Sequence, residues 1–276
     1  MFANVTEHSD AIRAFRRTVR DFYRANRRDM PWRETSDPYC IVVSEIMLQQ
    51  TQVERVHDKY RAFIRELPGF RSLADAPLQR VLSLWQGLGY NRRAIALKRI
   101  AEKVMVAHNG RLPASVELLQ EMPGIGHATA CSIAAFAFNM PVAFIETNIR
   151  RVFIHHFFDD RANVHDAEIL PLVEEALDRK NPREWYYALM DYGSDLKKKI
   201  PNPNRKSAHY SRQSRFEGST RQKRGTILRH ILDAGGCTAD DIAAHLALAP
   251  ADILPILRQL TDDGFLKLIR KRYHVV

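Results

Sequence analysis

Four residues, Pro123-Gly124-Ile125-Gly126, constrain this chain more than any other segment. They separate one helical pattern, Ser115 to Glu121, from another, Ala128 to Phe138. Two glycines one residue apart let backbone N–H groups approach an anion closely, and the next helix adds the positive end of its dipole. Gly-x-Gly before a helix also occurs as plain punctuation. Glu146 makes the turn more specific, because a hairpin suited to gripping a phosphate backbone then lies one short helix upstream of a carboxylate.

The charge balance agrees with a polyanionic partner. The 276 residues carry a formal charge of +10 and a pI of about 9.7, which points toward nucleic acid. Basic pI alone is weak, since many soluble enzymes share it. The length allows a full core and more than one domain. Cys40, Cys131 and Cys237 lie far apart without metal-ligand spacing and read as small buried hydrophobes in a reducing compartment. No run is apolar enough to span a bilayer and the N-terminus lacks a signal-peptide core, so the expectation is a soluble cytoplasmic protein without membrane contact.

Helical periodicity dominates from Ala11 to Lys197. Asp37-Pro38 predicts a helix through Tyr39 to Gln50, and Thr51 to Glu54 reads as a capping box opening the next, to about Leu67. Leu73 to Trp85 and Arg92 to His108 are two more, separated by Gly87-Leu88-Gly89-Tyr90. Residues 1–200 thus form a helical core, 201–224 a basic stretch and 225–276 a small module. In the basic stretch Arg205, Lys206, Arg212, Arg215, Arg221, Lys223 and Arg224 oppose Glu217 alone. It reads equally as a solvated linker and as an extended segment that tracks phosphates. The module holds helices near Thr226–Ala234, Ala239–Leu246 and Asp252–Leu260, then a basic β-like end, a winged-helix pattern in which Pro255 marks the third helix as a poor recognition helix.

Two carboxylates stand out. Glu45 lies among Val42, Val43, Ile46 and Met47 and shares a helix face with Leu48 and Gln49. Part of its surroundings is apolar, and a desolvated Glu holds a proton near neutrality, as a general acid must. The bland alternative is a surface stripe beside a buried one. Glu146 precedes Thr147 and Asn148, both good N-caps, and the positive helix end is expected to keep it ionised. Two carboxyls pushed apart in pKa are the mark of acid/base division in glycosidic bond cleavage.

Pro31-Trp32-Arg33, the run Ser44-Glu45-x-Met47-Leu48-Gln49-Gln50-Thr51-Gln52-Val53, Trp85-x-Gly87-Leu88-Gly89-Tyr90 and the hairpin turn together resemble the helix-hairpin-helix DNA glycosylases, the MutY-type adenine branch above all. The resemblance covers roughly residues 10–200. It implies an all-α, two-lobed glycosylase fold, double-stranded DNA as partner, a monomer, and a target nucleotide flipped out of the stack. It gives Glu45 the part of general acid and water activator, and matches Asn148 to an active-site asparagine. Gln49 and Tyr90 fall at the wedge beside the orphaned base, with Gln50, Gly124, Gly126 and His127 along the DNA. Trp32, Arg33, Leu48 and Tyr187 fall around the flipped base.

The chain departs from the pattern in several places. Position 146 is Glu where the family has Asp, an extra methylene that displaces the carboxylate by about 1 Å, a shift worth roughly a hundredfold if uncompensated. Ala128 stands where the endonuclease III branch has its Schiff-base lysine, so a covalent lyase step through that residue is excluded. Lys197 stands where the first of four cluster cysteines would be, so neither an iron–sulfur cluster nor another cofactor or metal is expected. The winged-helix-like module replaces the domain that reads oxidised guanine, and Tyr187 sits where a polar Glu or Gln is expected. His155, His156, Asp159, Asp160 and His165 have possible metal spacing but read better as a helix end and loop. The expected activity is monofunctional removal of adenine opposite guanine or oxidised guanine. Excision of thymine, uracil or another damaged base, and a non-catalytic DNA binder on a degenerate fold, remain open.

Overall fold

The computed structural model describes residues 5–211 and 215–276, and Arg212 of the basic stretch lies outside them. The described residues form helices α1 (Val5–Asn26), α2 (Pro38–Leu48), α3 (Val53–Glu66), α4 (Phe70–Asp75), α5 (Leu78–Trp85), α6 (Arg92–Ala107) and α7 (Val116–Gln120). There follow α8 (His127–Phe138), α9 (Thr147–Phe157), α10 (Asp166–Ala176), α11 (Pro182–Lys199), α12 (Thr220–Ala234), α13 (Ala239–Leu246) and α14 (Pro250–Asp262). The strands β1 (Leu266–Ile269) and β2 (Arg272–Val275) close the chain as an antiparallel hairpin, with Leu266 opposite Val275. The expected all-α fold with a small C-terminal α/β module is what the chain adopts.

Contacts divide these elements into two compact units. One runs through Ile41, takes in Pro113–Glu121 and continues from Ile125 into the basic stretch; the other holds Val42–Leu112, Met122–Gly124 and the C-terminal module.

The first unit is built around α8, whose Ala130, Cys131, Ile133, Ala134 and Phe136 are all buried. A helix apolar on every side belongs inside a core. Ser115 caps α7 by accepting from the Leu118 N–H, and Asn139 ends α8 in the left-handed conformation. From α1, buried Ile12, Phe15, Val19 and Tyr23 recur at helical spacing, with the Phe15 ring 4.9 Å from Phe153 and 6.0 Å from Trp185. Each such buried aromatic is worth about 1.5–3 kcal/mol. Part of the basic stretch is folded here rather than extended. Pro203–Lys206 form a 3-10 turn, Ser207 bridges Val164, and Lys206 pairs with Asp159 at 2.6 Å.

In the second unit four boundaries differ from the sequence pattern. The expected helix Leu73–Trp85 is two, because Pro77 lacks an N–H and forces Ala76 into extended backbone. Helix α2 stops at Leu48, so Gln49 and Gln50 form a turn in which Gln50 has φ of 53°. The cap of α3 is Gln52, not Thr51, whose hydroxyl instead accepts from the Arg93 guanidinium. Helix α12 begins at Thr220, six residues ahead of the expected start. Within the module Thr238 and Asp241 form the expected reciprocal cap of α13, and α14 continues through Pro255.

Candidate nucleic-acid interface and carboxylate site

In the first unit Glu146 is itself the N-cap of α9, the place expected for Thr147 or Asn148. Its carboxylate folds back onto its own helix. Oε1 accepts from the Asn148 N–H at 2.7 Å and the Ile149 N–H at 2.9 Å, and Oε2 accepts from the Asn148 side-chain amide at 3.3 Å. The Asn148 oxygen in turn accepts from Arg151, which also donates to the Gly193 carbonyl, both at 2.7 Å. The donors expected from the helix end are therefore present, but the expected ionisation is not assured by them. Burial pushes the Glu146 carboxyl above the ordinary glutamate range; the Ile149 and Asn148 N–H groups and the Arg151 and Arg150 charges oppose this without overcoming it.

A second cluster in the same unit surrounds Asp191. Arg33 grips its carboxylate with two bonds of 2.8 Å, and Arg28 adds one of 2.6 Å through Nε. Burial raises the Asp191 carboxyl, but the Arg33 bonds and charge, with Arg28 behind them, win and hold it below the usual carboxylate range. The Arg33 guanidinium lies 4.5 Å from the centre of the Tyr187 ring, which stacks on Phe136 with centroids 4.6 Å apart. Trp32, in the 3-10 turn Pro31–Arg33, is buried. Three of the expected base-pocket residues thus belong to this unit, Arg33 and Tyr187 in direct contact. His127 and Gly126 open α8 at an exposed position, His127 facing Gln120 at 3.3 Å. Gly126 has φ of −86° and a Cβ there would meet only open space, so backbone conformation does not demand glycine.

The second unit holds Glu45, Leu48, Gln49, Gln50, Tyr90 and Gly124. Glu45 is half-buried on α2 behind fully buried Val42, Val43, Ile46 and Met47. Gln49 donates from its side chain to the Gly124 carbonyl at 3.2 Å, tying the turn after α2 to the glycine turn. Gly124 has φ of 77°, and a Cβ would sit 3.1 Å from that of Ala96, so glycine is required. Tyr90 has φ of 48°, a conformation rare for an aromatic residue and one that persists only when surroundings impose it.

What imposes it is Arg93. Its Nη1 donates to the carbonyls of Ile46, Met47 and Gln49 at 2.9, 2.8 and 2.6 Å. Its Nη2 donates to the Thr51 hydroxyl and to the carbonyls of Leu88 and Gly89 at 3.0, 3.2 and 3.0 Å. One guanidinium satisfies the orphan carbonyls at the end of α2 and holds both strained turns. Burial lowers its pKa to about 10, against the Tyr90 influence, leaving it charged at neutral pH. The role of Arg93 is not apparent from motif reading, yet a signal exists: Arg93, Leu97, Ile100 and Val104 share the buried stripe of α6, and an arginine in that stripe needs acceptors.

His155, His156, Asp159, Asp160 and His165 do not converge on a metal position, nor does any such group among the described residues. His156 instead meets the Tyr192 hydroxyl at 2.9 Å, and burial with the neighbouring His155 lowers its pKa to about 4. No helix among the described residues is long and apolar enough to cross a membrane.

Comparison with known proteins follows the same lines. The chain is 35% identical over 185 residues to the adenine DNA glycosylase of Buchnera aphidicola subsp. Baizongia pistaciae, covering 65% of this chain and 52% of that protein. It is 36% identical over 182 residues to the adenine DNA glycosylase of Mycobacterium tuberculosis, covering 63% of this chain and 59% of that protein. The chain thus spans about half the length of these relatives. Among solved structures a thermostable thymine-DNA glycosylase aligns with a TM-score of 0.62 at 28% identity, over 68% of this chain and 88% of that one. Residues 43–173 match the model of the HhH-GPD superfamily base excision DNA repair proteins.

Proposed function

We propose that this protein is a monofunctional base-excision DNA glycosylase that removes adenine mispaired with guanine or oxidised guanine. The observation that carries the reading is that each unit holds a carboxyl in its own setting, Glu45 half-buried behind an apolar helix face in one and Glu146 held by helix N–H groups beside Asn148 in the other, in a chain similar to adenine DNA glycosylases. Glu45 protonates the departing base as the bond from sugar to base breaks, then takes a proton from the water that adds to the sugar carbon. Glu146, in its ionised form, stabilises the oxocarbenium-like sugar between these steps. Asn148 fixes its free oxygen. Trp32, Arg33, Leu48 and Tyr187 surround the flipped base; Gln49, Gln50 and Tyr90 occupy the gap it leaves, and Gly124, Gly126 and His127 grip the backbone. The reading includes a monomer acting on double-stranded DNA in the cytoplasm without an iron–sulfur cluster. Ala128 offers no amine for a Schiff base.

One observation favours a second substrate. Tyr187 in place of a polar residue, together with similarity to a thymine-DNA glycosylase, supports excision of mismatched thymine. The test is a panel of duplexes with adenine, thymine or uracil opposite guanine and oxidised guanine, treated with alkali after incubation. Cleavage of adenine strands, abolished by Glu45→Gln with DNA binding retained and without borohydride trapping, is expected. Cleavage confined to thymine or uracil strands would replace adenine as substrate. No cleavage of any duplex would leave a non-catalytic DNA binder.

A further inference from the structure

The C-terminal module brings a cation onto Tyr90. Arg221, in the first turn of α12, hydrogen-bonds the Tyr90 hydroxyl, and its guanidinium lies 5.1 Å from the centre of the ring. Arg93 lies 5.4 Å from the same ring, so two guanidinium groups approach Tyr90. Phe216 extends the stack, its ring centre 5.9 Å from Arg221, and remains 54% exposed. The module is anchored on the rest of this unit by other bonds: Arg92 pairs with Asp263, which Arg224 also holds from within the module, and Gln79 reaches the Val275 carbonyl.

The cations at the start of α12 run against its helix dipole. Arg221, Lys223 and Arg224 fall within its first five residues, where the helix dipole favours anions, and no acid offsets them in the first turn. Asp263 answers Arg224, and Glu217 answers Arg215 at 3.0 Å. Arg221 meets the Tyr90 hydroxyl and the ring faces of Tyr90 and Phe216, neutral groups that do not cancel a guanidinium charge. A cation interleaved with aromatic rings, one ring exposed and the other on a strained turn, matches how proteins grip a nucleic-acid strand whose bases are unstacked.

We propose that Arg221 and Phe216 of the C-terminal module form a DNA-contacting surface continuous with Tyr90, with Arg221 neutralising a phosphate and Phe216 stacking on a base beside the extruded nucleotide. This rests on the glycosylase reading, which puts Tyr90 at the DNA. The module then binds DNA through the start of α12 rather than through α14, whose C-terminal end is occupied in docking.

The test measures full-length protein binding to a matched duplex and to an adenine–guanine duplex across a salt series, with base release followed separately. Arg221→Ala is expected to weaken matched-duplex binding about tenfold and to reduce the salt slope by about one. Arg221→Lys should restore the slope. Phe216→Ala should weaken mispair binding about tenfold without changing the slope. Asp263→Ala, which loosens docking, should lower thermal stability without reducing the slope. If Arg221→Ala and Arg221→Gln leave the slope unchanged and behave as Asp263→Ala does, Arg221 only docks the module and the proposal falls. Base release by wild type with an Arg221-insensitive slope overturns this surface alone. Wild-type protein that neither binds duplex nor releases base overturns the glycosylase reading with it.

Discussion

Gly193 on α11 lies so close to Asn148 on α9 that a Cβ at position 193 would come within 2.6 Å of the Asn148 carbonyl oxygen and 2.8 Å of its Cβ. The Gly193 carbonyl also accepts from the same Arg151 that holds the Asn148 side chain. The packing of two helices therefore fixes the residue that braces Glu146.

Gly193→Ala should separate these helices at the site. The backbone atoms it meets cannot swing aside, so a loss of about 1–3 kcal/mol in stability is expected, typical of overpacking. Single-turnover base release should fall more than tenfold, because a shift of about 1 Å in a reacting group is that costly. Unchanged release with unchanged melting would show that Asn148 does not need this contact.

Removing Arg93 should be among the most damaging single changes in the chain. Arg93→Met takes a donor from five carbonyls and one hydroxyl; Gly89 keeps a bond from the Trp85 indole and Gln49 one from the Thr51 hydroxyl, and each buried acceptor left unsatisfied costs about 1–3 kcal/mol. Even with water replacing some bonds, a loss above about 3 kcal/mol is expected in urea denaturation. Arg93→Lys should recover only part of it, since one ammonium cannot reach both turns. A near-neutral Arg93→Met would show that the turns hold themselves.

Asp191 and Glu146 should titrate in opposite senses. Asp191 has its folded value below the ordinary one, so its stabilisation is complete above the ordinary aspartate pKa and is lost as pH falls through the folded value. Asp191→Asn should flatten the acid side of the stability curve while lowering stability at neutral pH, where Arg33 and Arg28 lose their partner.

Glu146 has its folded value raised, so the folded state holds a proton that the unfolded chain releases. Stability then declines as pH rises from the ordinary glutamate value through the folded one. Glu146→Gln keeps an oxygen for the Asn148 and Ile149 N–H groups. Its melting temperature should match wild type in acid and exceed it near neutrality, while base release is lost. Wild type itself should show its acid limb of base release above the ordinary glutamate range. Identical melting of the two proteins at all pH values would mean that burial does not perturb this carboxyl.

Iron content tests the reading of residues 197–206. Purified protein should be colourless, hold no stoichiometric iron and melt at the same temperature with and without chelator. Bound iron, or a chelator-dependent loss of structure, would refute a cluster-free chain.

Features that depend on near neighbours are written in the local sequence. The apolar run of α8, the Ser115 and Thr238 caps, and the Pro123 to Gly126 turn follow from local periodicity and from what proline and glycine permit. Glu45 and Glu146 stand out in the sequence because carboxyls among apolar residues or at a helix start are conspicuous. What those groups experience depends on packing against distant segments. Glu146 reads as an ionised carboxylate from its helix position alone, but burial supplied by packing turns its pKa upward. Leu48 ends α2 where periodicity runs on to Gln50, because Arg93, more than forty residues later, takes the last carbonyls. The Arg33–Asp191 grip joins residues 158 apart, and Arg221 meets Tyr90 across 131. Charged side chains take their role from what desolvates and pairs them, and those partners are brought by folding rather than by spacing along the chain.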